Sequence, residues 1–149
     1  MKVVVQRVTH SSCKVDNSVT GQIENGYMLL VGFGLNDNKE TAEKMAEKIS
    51  KLRIFEDELG KINKSIFDVN GKILSISQFT LYADCSKGNR PSFTNALAPN
   101  DAKELYLYFN ECLRKLNIDV KEGIFGADMK IELLNDGPVT IILDSEELW

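Results

Sequence analysis

The chain predicts an α+β domain with a curved, largely antiparallel, barrel-like sheet and two amphipathic helices. Short apolar runs of strand type outnumber helical repeats, most links between them are of hairpin length, and only two segments repeat apolar residues at helical spacing. At 149 residues and 43% apolar, with three prolines and no low-complexity tract, residues 1–149 suit a single domain around one core.

Taken in order, Met1–Val8 and Ser12–Asp16 read as short strands, Asn17 to Gly21 as turn residues, and Gly26–Phe33 as a continuously apolar, buried strand. Asp37 followed by Glu40 resembles a capping box. Ala42, Met45, Ala46, Ile49 and Leu52 then recur at helical spacing, which predicts a helix over about residues 38–52. Ile54-Phe55, Ser65–Val69 and Ile73–Leu81 read as strands, the last two joined by an Asn70-Gly71 hairpin. Pro99-Asn100-Asp101 opens the second helix, whose apolar face is Ala102, Leu105, Tyr106, Phe109, Leu113 and Leu116, and which ends before Asn117. Ile118–Val120, Met129–Leu134 and Val139–Leu143 complete the strands. Between the last two lies Asn135-Asp136-Gly137-Pro138. Proline donates no ladder hydrogen bond, so it belongs at a turn or sheet edge. An X-Pro bond takes the cis form for only about 0.5–1 kcal/mol, so a tight cis turn here can aim two carbonyl oxygens in one direction.

Composition excludes several chemistries. Twenty-two acidic against eighteen basic side chains leave a net charge of −4, which disfavours strong non-specific binding to a phosphate backbone. Any nucleic-acid contact must be local, and the candidate patch is Lys87-Gly88-Asn89-Arg90-Pro91, with Lys2, Arg7 and Lys14 as further candidates. His10 is the only histidine, in what reads as a turn between two short strands, so histidine-based catalysis and metal binding are disfavoured. Cys13, Cys85 and Cys112 form no C-x-x-C pair and read as reduced packing residues. No phosphate-binding glycine motif is present, Gly32-Phe33-Gly34 being too short. No signal segment or membrane span is apparent, and a cytoplasmic protein without metal or cofactor is expected.

Ser75-Ile76-Ser77-Gln78-Phe79-Thr80-Leu81-Tyr82 then stands out as a polar strand ending before a glycine-containing loop. Its pleat would place Ser75, Ser77, Phe79 and Leu81 on one face and Ile76, Gln78, Thr80 and Tyr82 on the other. One reading is an edge strand with a solvated face. The other is an oxyanion site of backbone N–H groups and a hydroxyl at the strand end, which needs no histidine.

Ser77-Gln78-Phe79-Thr80 together with Asn135-Asp136-Gly137-Pro138-Val139-Thr140 resembles the paired signature of the D-aminoacyl-tRNA deacylases. Gln6-Arg7-Val8, Arg90-Pro91-Ser92-Phe93, Pro99, Ala102 and Phe125-Gly126-Ala127-Asp128-Met129 stand in similar order along the chain, with Tyr82 and Cys85 at variable positions. The resemblance implies a homodimer acting on the ester between a D-amino acid and the terminal adenosine of tRNA. It implies a pocket formed by Ser77, Gln78, Phe79 and Thr80, into which the Gly137-cis-Pro138 segment of the other protomer reaches to exclude L side chains. Glycine escapes such a gate, so glycyl-tRNA is expected to be a substrate. Arg7 is the candidate for holding the Gly-Pro segment, Ala102 for leaving room for the terminal ribose, and Lys87 and Arg90 for touching tRNA. Two mechanisms stay open: Thr80 as nucleophile, or assistance by the substrate's ribose 2′-OH. The second is favoured because no base neighbours Thr80 in the motif.

Overall fold

In the computed structural model, which describes Met1–Trp149, the spine of the sheet is β1 (Lys2–Val15). It pairs antiparallel with β3 (Gly26–Gly32) along its first half and with β2 (Ser18–Ile23) along its second. On its other side β8 (Lys130–Asp144) runs antiparallel along nearly its whole length. Beyond β3 the sheet turns parallel, through β6 (Lys72–Ser77) to β7 (Val120–Glu122), giving a mixed, nearly closed, barrel-like sheet. A small hairpin, β4 (Phe55–Glu56) with β5 (Ile62–Lys64), stands apart, and apolar patterning does not mark the largely exposed, polar β5.

Several expected boundaries move. The two short N-terminal strands are one continuous strand, so His10 is not a turn residue but sits within β1 opposite Leu134, 3.8 Å from Glu132. The turn after β1 is only Asp16-Asn17, both at positive φ (48° and 64°), the geometry of a two-residue hairpin, so Ser18 already belongs to β2. Asn70-Gly71 does not make a hairpin. Ser65–Val69 is a chain of turns tied by Ser65 N–H donating to Asp68 (2.7 Å) and Gly71 N–H donating to Ile66 O (2.9 Å), and Asn70 (φ 50°) feeds β6 into parallel pairing with β3. A parallel neighbour requires a crossover, and the segment carrying α1 (Lys39–Ser50) and the β4–β5 hairpin supplies it.

Helix α1 is capped by Asn38, whose side chain accepts from Thr41 N–H at 3.1 Å, one residue after the expected cap. Asp37 instead accepts from Gly34 N–H (2.6 Å) and from the Met1 ammonium (2.5 Å). Helix α2 (Pro99–Lys115) starts with proline at its first turn and stops where Asn117 takes a left-handed φ of 65°. A short third helix, α3 (Ser145–Leu148), follows β8. No helix is long and apolar enough to cross a membrane.

The helices cover one sheet face, where Val3, Val5, Leu29 and Ile73 meet Met45, Ile49, Phe109 and Leu113. A second, smaller cluster of Val8, Cys13, Ile23, Met28, Leu74 and Ile76 fills the curled side of the sheet. Phe109 is fully buried, so Phe109→Ala is expected to cost about 3–5 kcal/mol in equilibrium denaturation. A loss below about 1 kcal/mol would show that α2 does not seal the core.

Candidate active site

Strand β6 ends at Ser77 rather than Leu81, because its outer neighbour β7 pairs only as far as Ser75 and its inner neighbour β3 ends just past Val31. Gln78 N–H donates to Val31 O at 2.7 Å, and the chain then winds into a 3₁₀ turn over Phe79–Tyr82. Leu81 N–H donates back to Gln78 O (3.3 Å) and Ala83 N–H to Thr80 O (3.0 Å). The expected pleated alternation therefore fails from Phe79 onward. The N–H groups of Phe79 and Thr80, the first two of the turn, are those that a 3₁₀ turn leaves without an acceptor of its own.

Two glycines let this turn form. A Cβ on Gly32 would stand 2.8 Å from Gln78 O, and one on Gly34 would stand 2.6 Å from the Tyr82 ring. Gly32-Phe33-Gly34 is thus no phosphate motif; it makes room for the turn. Tyr82, which the resemblance left as variable, anchors the far end, its hydroxyl 3.4 Å from Asp37. Burial and the Asp37 carboxylate beside it hold the Tyr82 phenol far above its ordinary pKa.

Beside the turn lies a cavity of about 280 Å³, mostly apolar, lined by Ser77, Gln78, Phe79, Ala102, Phe125 and Met129 among others. Ala102 closes it from the first turn of α2 and is buried. Phe79 is 56% exposed and meets Phe93 edge-on, with ring centres 5.0 Å apart. Thr80, next along, is exposed and does not line the cavity. Its hydroxyl accepts a hydrogen bond from the Gln78 side-chain amide, and no base is bonded to it. The loop carrying the exposed Lys87 and Arg90 is closed at its base by Asp84 and Ser92, which exchange backbone hydrogen bonds of 2.8 and 2.9 Å. No group of three or more His, Cys, Asp or Glu side chains is arranged to hold a metal.

The second signature segment is elsewhere. Pairing with β1 passes from Asn135 opposite Val8 to Thr140 opposite Gln6, so Asp136–Val139 loop outward from β8. Asn135 clasps the neck of this loop: its carbonyl accepts from Val139 N–H and its amide donates to the Thr140 hydroxyl, both at 2.9 Å. The Gly137–Pro138 bond is cis, as expected, and both residues are exposed. Arg7, only 4% exposed, donates from Nε to Asp136 O (3.0 Å) and from Nη1 to Ile54 O (2.8 Å), with the Glu56 and Asp136 carboxylates each at 3.7 Å. Arg7 thus meets this segment at Asp136, the residue before Gly137. Asn135, Glu56 and the Ile54 carbonyl join it; in sequence Asn135 signals its role only as an Asx residue beside Gly-Pro.

Ser77, Gln78, Phe79 and Ala102 come together, while Gly137, Pro138 and Arg7 do not join them within one chain. The path between crosses β8, β1, β3 and β6, three strand spacings or roughly 14 Å, and climbs about four residues of register, roughly 13 Å. Across it runs a row of Ile142, Val4, Leu30 and Ile76, in which Ile142 is 73% exposed and Val4 and Leu30 are half-buried.

The chain is similar to proteins of known family over nearly its whole length. The profile described as D-Tyr-tRNA(Tyr) deacylase matches residues 4–144. A D-aminoacyl-tRNA deacylase of Deinococcus radiodurans is 55% identical over 144 residues, covering 97% of this chain and 99% of its own. That of Thermosipho africanus is 48% identical over 149 residues, covering all of both chains. Among solved structures, a c-Myc DNA unwinding element binding protein superposes with a TM-score of 0.90 at 44% identity, over 97% of this chain and 98% of that one. A probable eukaryotic D-amino acid tRNA deacylase shares the fold, with a TM-score of 0.82 at 17% identity over 95% and 97% of the two chains. With matches spanning its sheet, both helices and both signature segments, this chain belongs to the D-Tyr-tRNA(Tyr) deacylase family.

Proposed function

We propose that this chain hydrolyses the ester of D-aminoacyl-tRNA, and of glycyl-tRNA, releasing free tRNA and the amino acid, in the cytoplasm. The observation that carries the reading is the 3₁₀ turn at Phe79-Thr80, whose first two N–H groups have no acceptor within the turn and whose Phe79 lines an apolar pocket. Donors so placed suit the oxyanion of a tetrahedral intermediate, worth roughly 3 kcal/mol each in known cases. Water adds to the ester carbonyl, the negative charge gathers on that oxygen, and collapse expels the ribose 3′-oxygen, which takes up the proton. Thr80 is not the nucleophile: its hydroxyl is engaged by the Gln78 amide and no base is bonded to it. The neighbouring 2′-OH orients the water instead.

Chirality is read by exclusion. The exposed Gly137-Pro138 loop, pinned by Arg7, is too far from its own pocket and reaches that of a second copy, where its carbonyls leave room for hydrogen but not for an L side chain. The apolar row Ile142, Val4 and Leu30, lying between pocket and loop, supports a homodimer packed on this face. Light scattering at micromolar concentration is expected to show a species of twice the 16.7 kDa chain mass. A fully active monomer would contradict the shared site.

Lys87 and Arg90 supply the local positive charge that the acidic chain otherwise lacks. Replacing both with alanine is expected to weaken tRNA binding and to flatten the slope of log K against log salt by about 0.7–0.9 per lost contact. An unchanged slope would place the tRNA elsewhere. The function itself is tested by comparing D-tyrosyl-tRNA with free D-tyrosine ethyl ester. Hydrolysis of the first with little of the second is expected; equal rates would make the protein a general esterase.

A further inference from the structure

We infer that Tyr106 is a positioning residue for this hydrolysis, its hydroxyl fixing the end of β6 from which the Phe79 and Thr80 N–H groups project; the inference rests on the reading above. Tyr106 is 1% exposed, one turn of α2 beyond the pocket-lining Ala102. Its hydroxyl donates to Ser75 O at 2.7 Å, and its ring centre lies 6.0 Å from that of Phe125, which also lines the pocket. The same Ser75 carbonyl accepts a longer bond from Gly123 N–H at 3.3 Å, at the start of the segment leading to Phe125. One side chain therefore ties together three walls of the cavity: the start of α2, the end of β6 and the segment around Phe125.

No other side chain bonds the Ser75 carbonyl. Ser75 Oγ is buried without a partner, and Asn110, one turn further along α2 and fully buried, directs its amide to Glu122 at 2.7 Å while its own oxygen has no partner. Burial pushes the Tyr106 phenol up to about 12, against the lowering effect of Asn110 and Ser75, so it remains a neutral donor throughout the range in which ester hydrolysis is measured. Because the Phe79 and Thr80 donors begin only four residues past Ser75, a β6 end that slides misplaces them against the developing oxyanion. Binding of the ground-state ester, which relies on the apolar walls, is left largely intact.

The test is Tyr106→Phe, which keeps the ring and removes the donor, assayed with D-tyrosyl-tRNA. Expected is a kcat lowered roughly tenfold to a hundredfold at nearly unchanged KM, with a melting temperature within about 4 °C of the parent. Phe125→Leu, which removes the ring contact and leaves the hydroxyl, is expected to raise KM with little loss of kcat. A Tyr106→Phe enzyme with unchanged kcat, or one whose rate falls only in proportion to its unfolded fraction, would overturn the inference. A parent protein inactive on D-tyrosyl-tRNA would instead overturn the functional reading on which it rests.

Discussion

A Gly137→Ala variant is expected to lose chiral selectivity, the ratio of D to L deacylation rates falling about a hundredfold, while its melting temperature changes little. Gly137 sits at φ +130°, a conformation L residues rarely adopt and one that costs them roughly 1–3 kcal/mol. An added Cβ would stand 2.9 Å from Val139 Cγ2, 3.0 Å from Arg7 Nη2 and 3.3 Å from Val139 N. Arg7 cannot give way, since it is buried and held between the Ile54 and Asp136 carbonyls. The exposed loop moves instead, and with it the carbonyl groups proposed to exclude L side chains. Displacements of about 1 Å are enough to change rates by a factor of roughly a hundred. Gly137 and Pro138 are exposed, and of the loop only Val139 packs against the core, so the effect falls on selectivity more than on folding. Unchanged rates on both enantiomers would reduce the segment to a surface turn.

The second large effect separates the two candidate sources of the nucleophile. Thr80→Val is expected to retain deacylase activity within about tenfold, whereas a substrate with hydrogen in place of the terminal ribose 2′-OH is expected to lose most of its reactivity. The valine keeps the backbone N–H, the group proposed to face the oxyanion, and removes only a hydroxyl bonded to the Gln78 amide. Losing an oxyanion donor would cost roughly 3 kcal/mol, a factor of over a hundred, so the two outcomes are well separated. A folded but inactive Thr80→Val enzyme, with an active 2′-deoxy substrate, would make Thr80 the nucleophile.

Local chemistry was legible where a residue type has few conformational choices. Gly137-Pro138 reads directly as a turn able to be cis, Pro99 and Asn117 bracket α2, and apolar spacing gives the faces of both helices. Errors arose where a nonlocal partner decided. Asn70-Gly71 carries the local hairpin signal, but β6 finds a better neighbour in β3, already apolar and available, and pairs with it in parallel. Residues Phe79–Leu81 suit a strand by type, yet the sheet runs out of neighbours at Ser77, so they wind into a turn. Asp37 looks like a cap; with the Gly34 N–H within reach it serves the loop instead, and Asn38 caps the helix. In the site, Arg7 could be linked to Gly-Pro through the resemblance. Gly32, Gly34, Tyr82 and Tyr106 act through contacts between distant segments, and a single sequence carries no mark of those.

The most direct test charges one tRNA with D-tyrosine, L-tyrosine or glycine and follows release of each amino acid by the purified protein under identical conditions. An exclusion gate beside an oxyanion site predicts rapid hydrolysis of the D-tyrosyl and glycyl esters, with the L-tyrosyl ester slower by at least about a hundredfold. Equal release of D- and L-tyrosine, or no release of D-tyrosine at all, would contradict it.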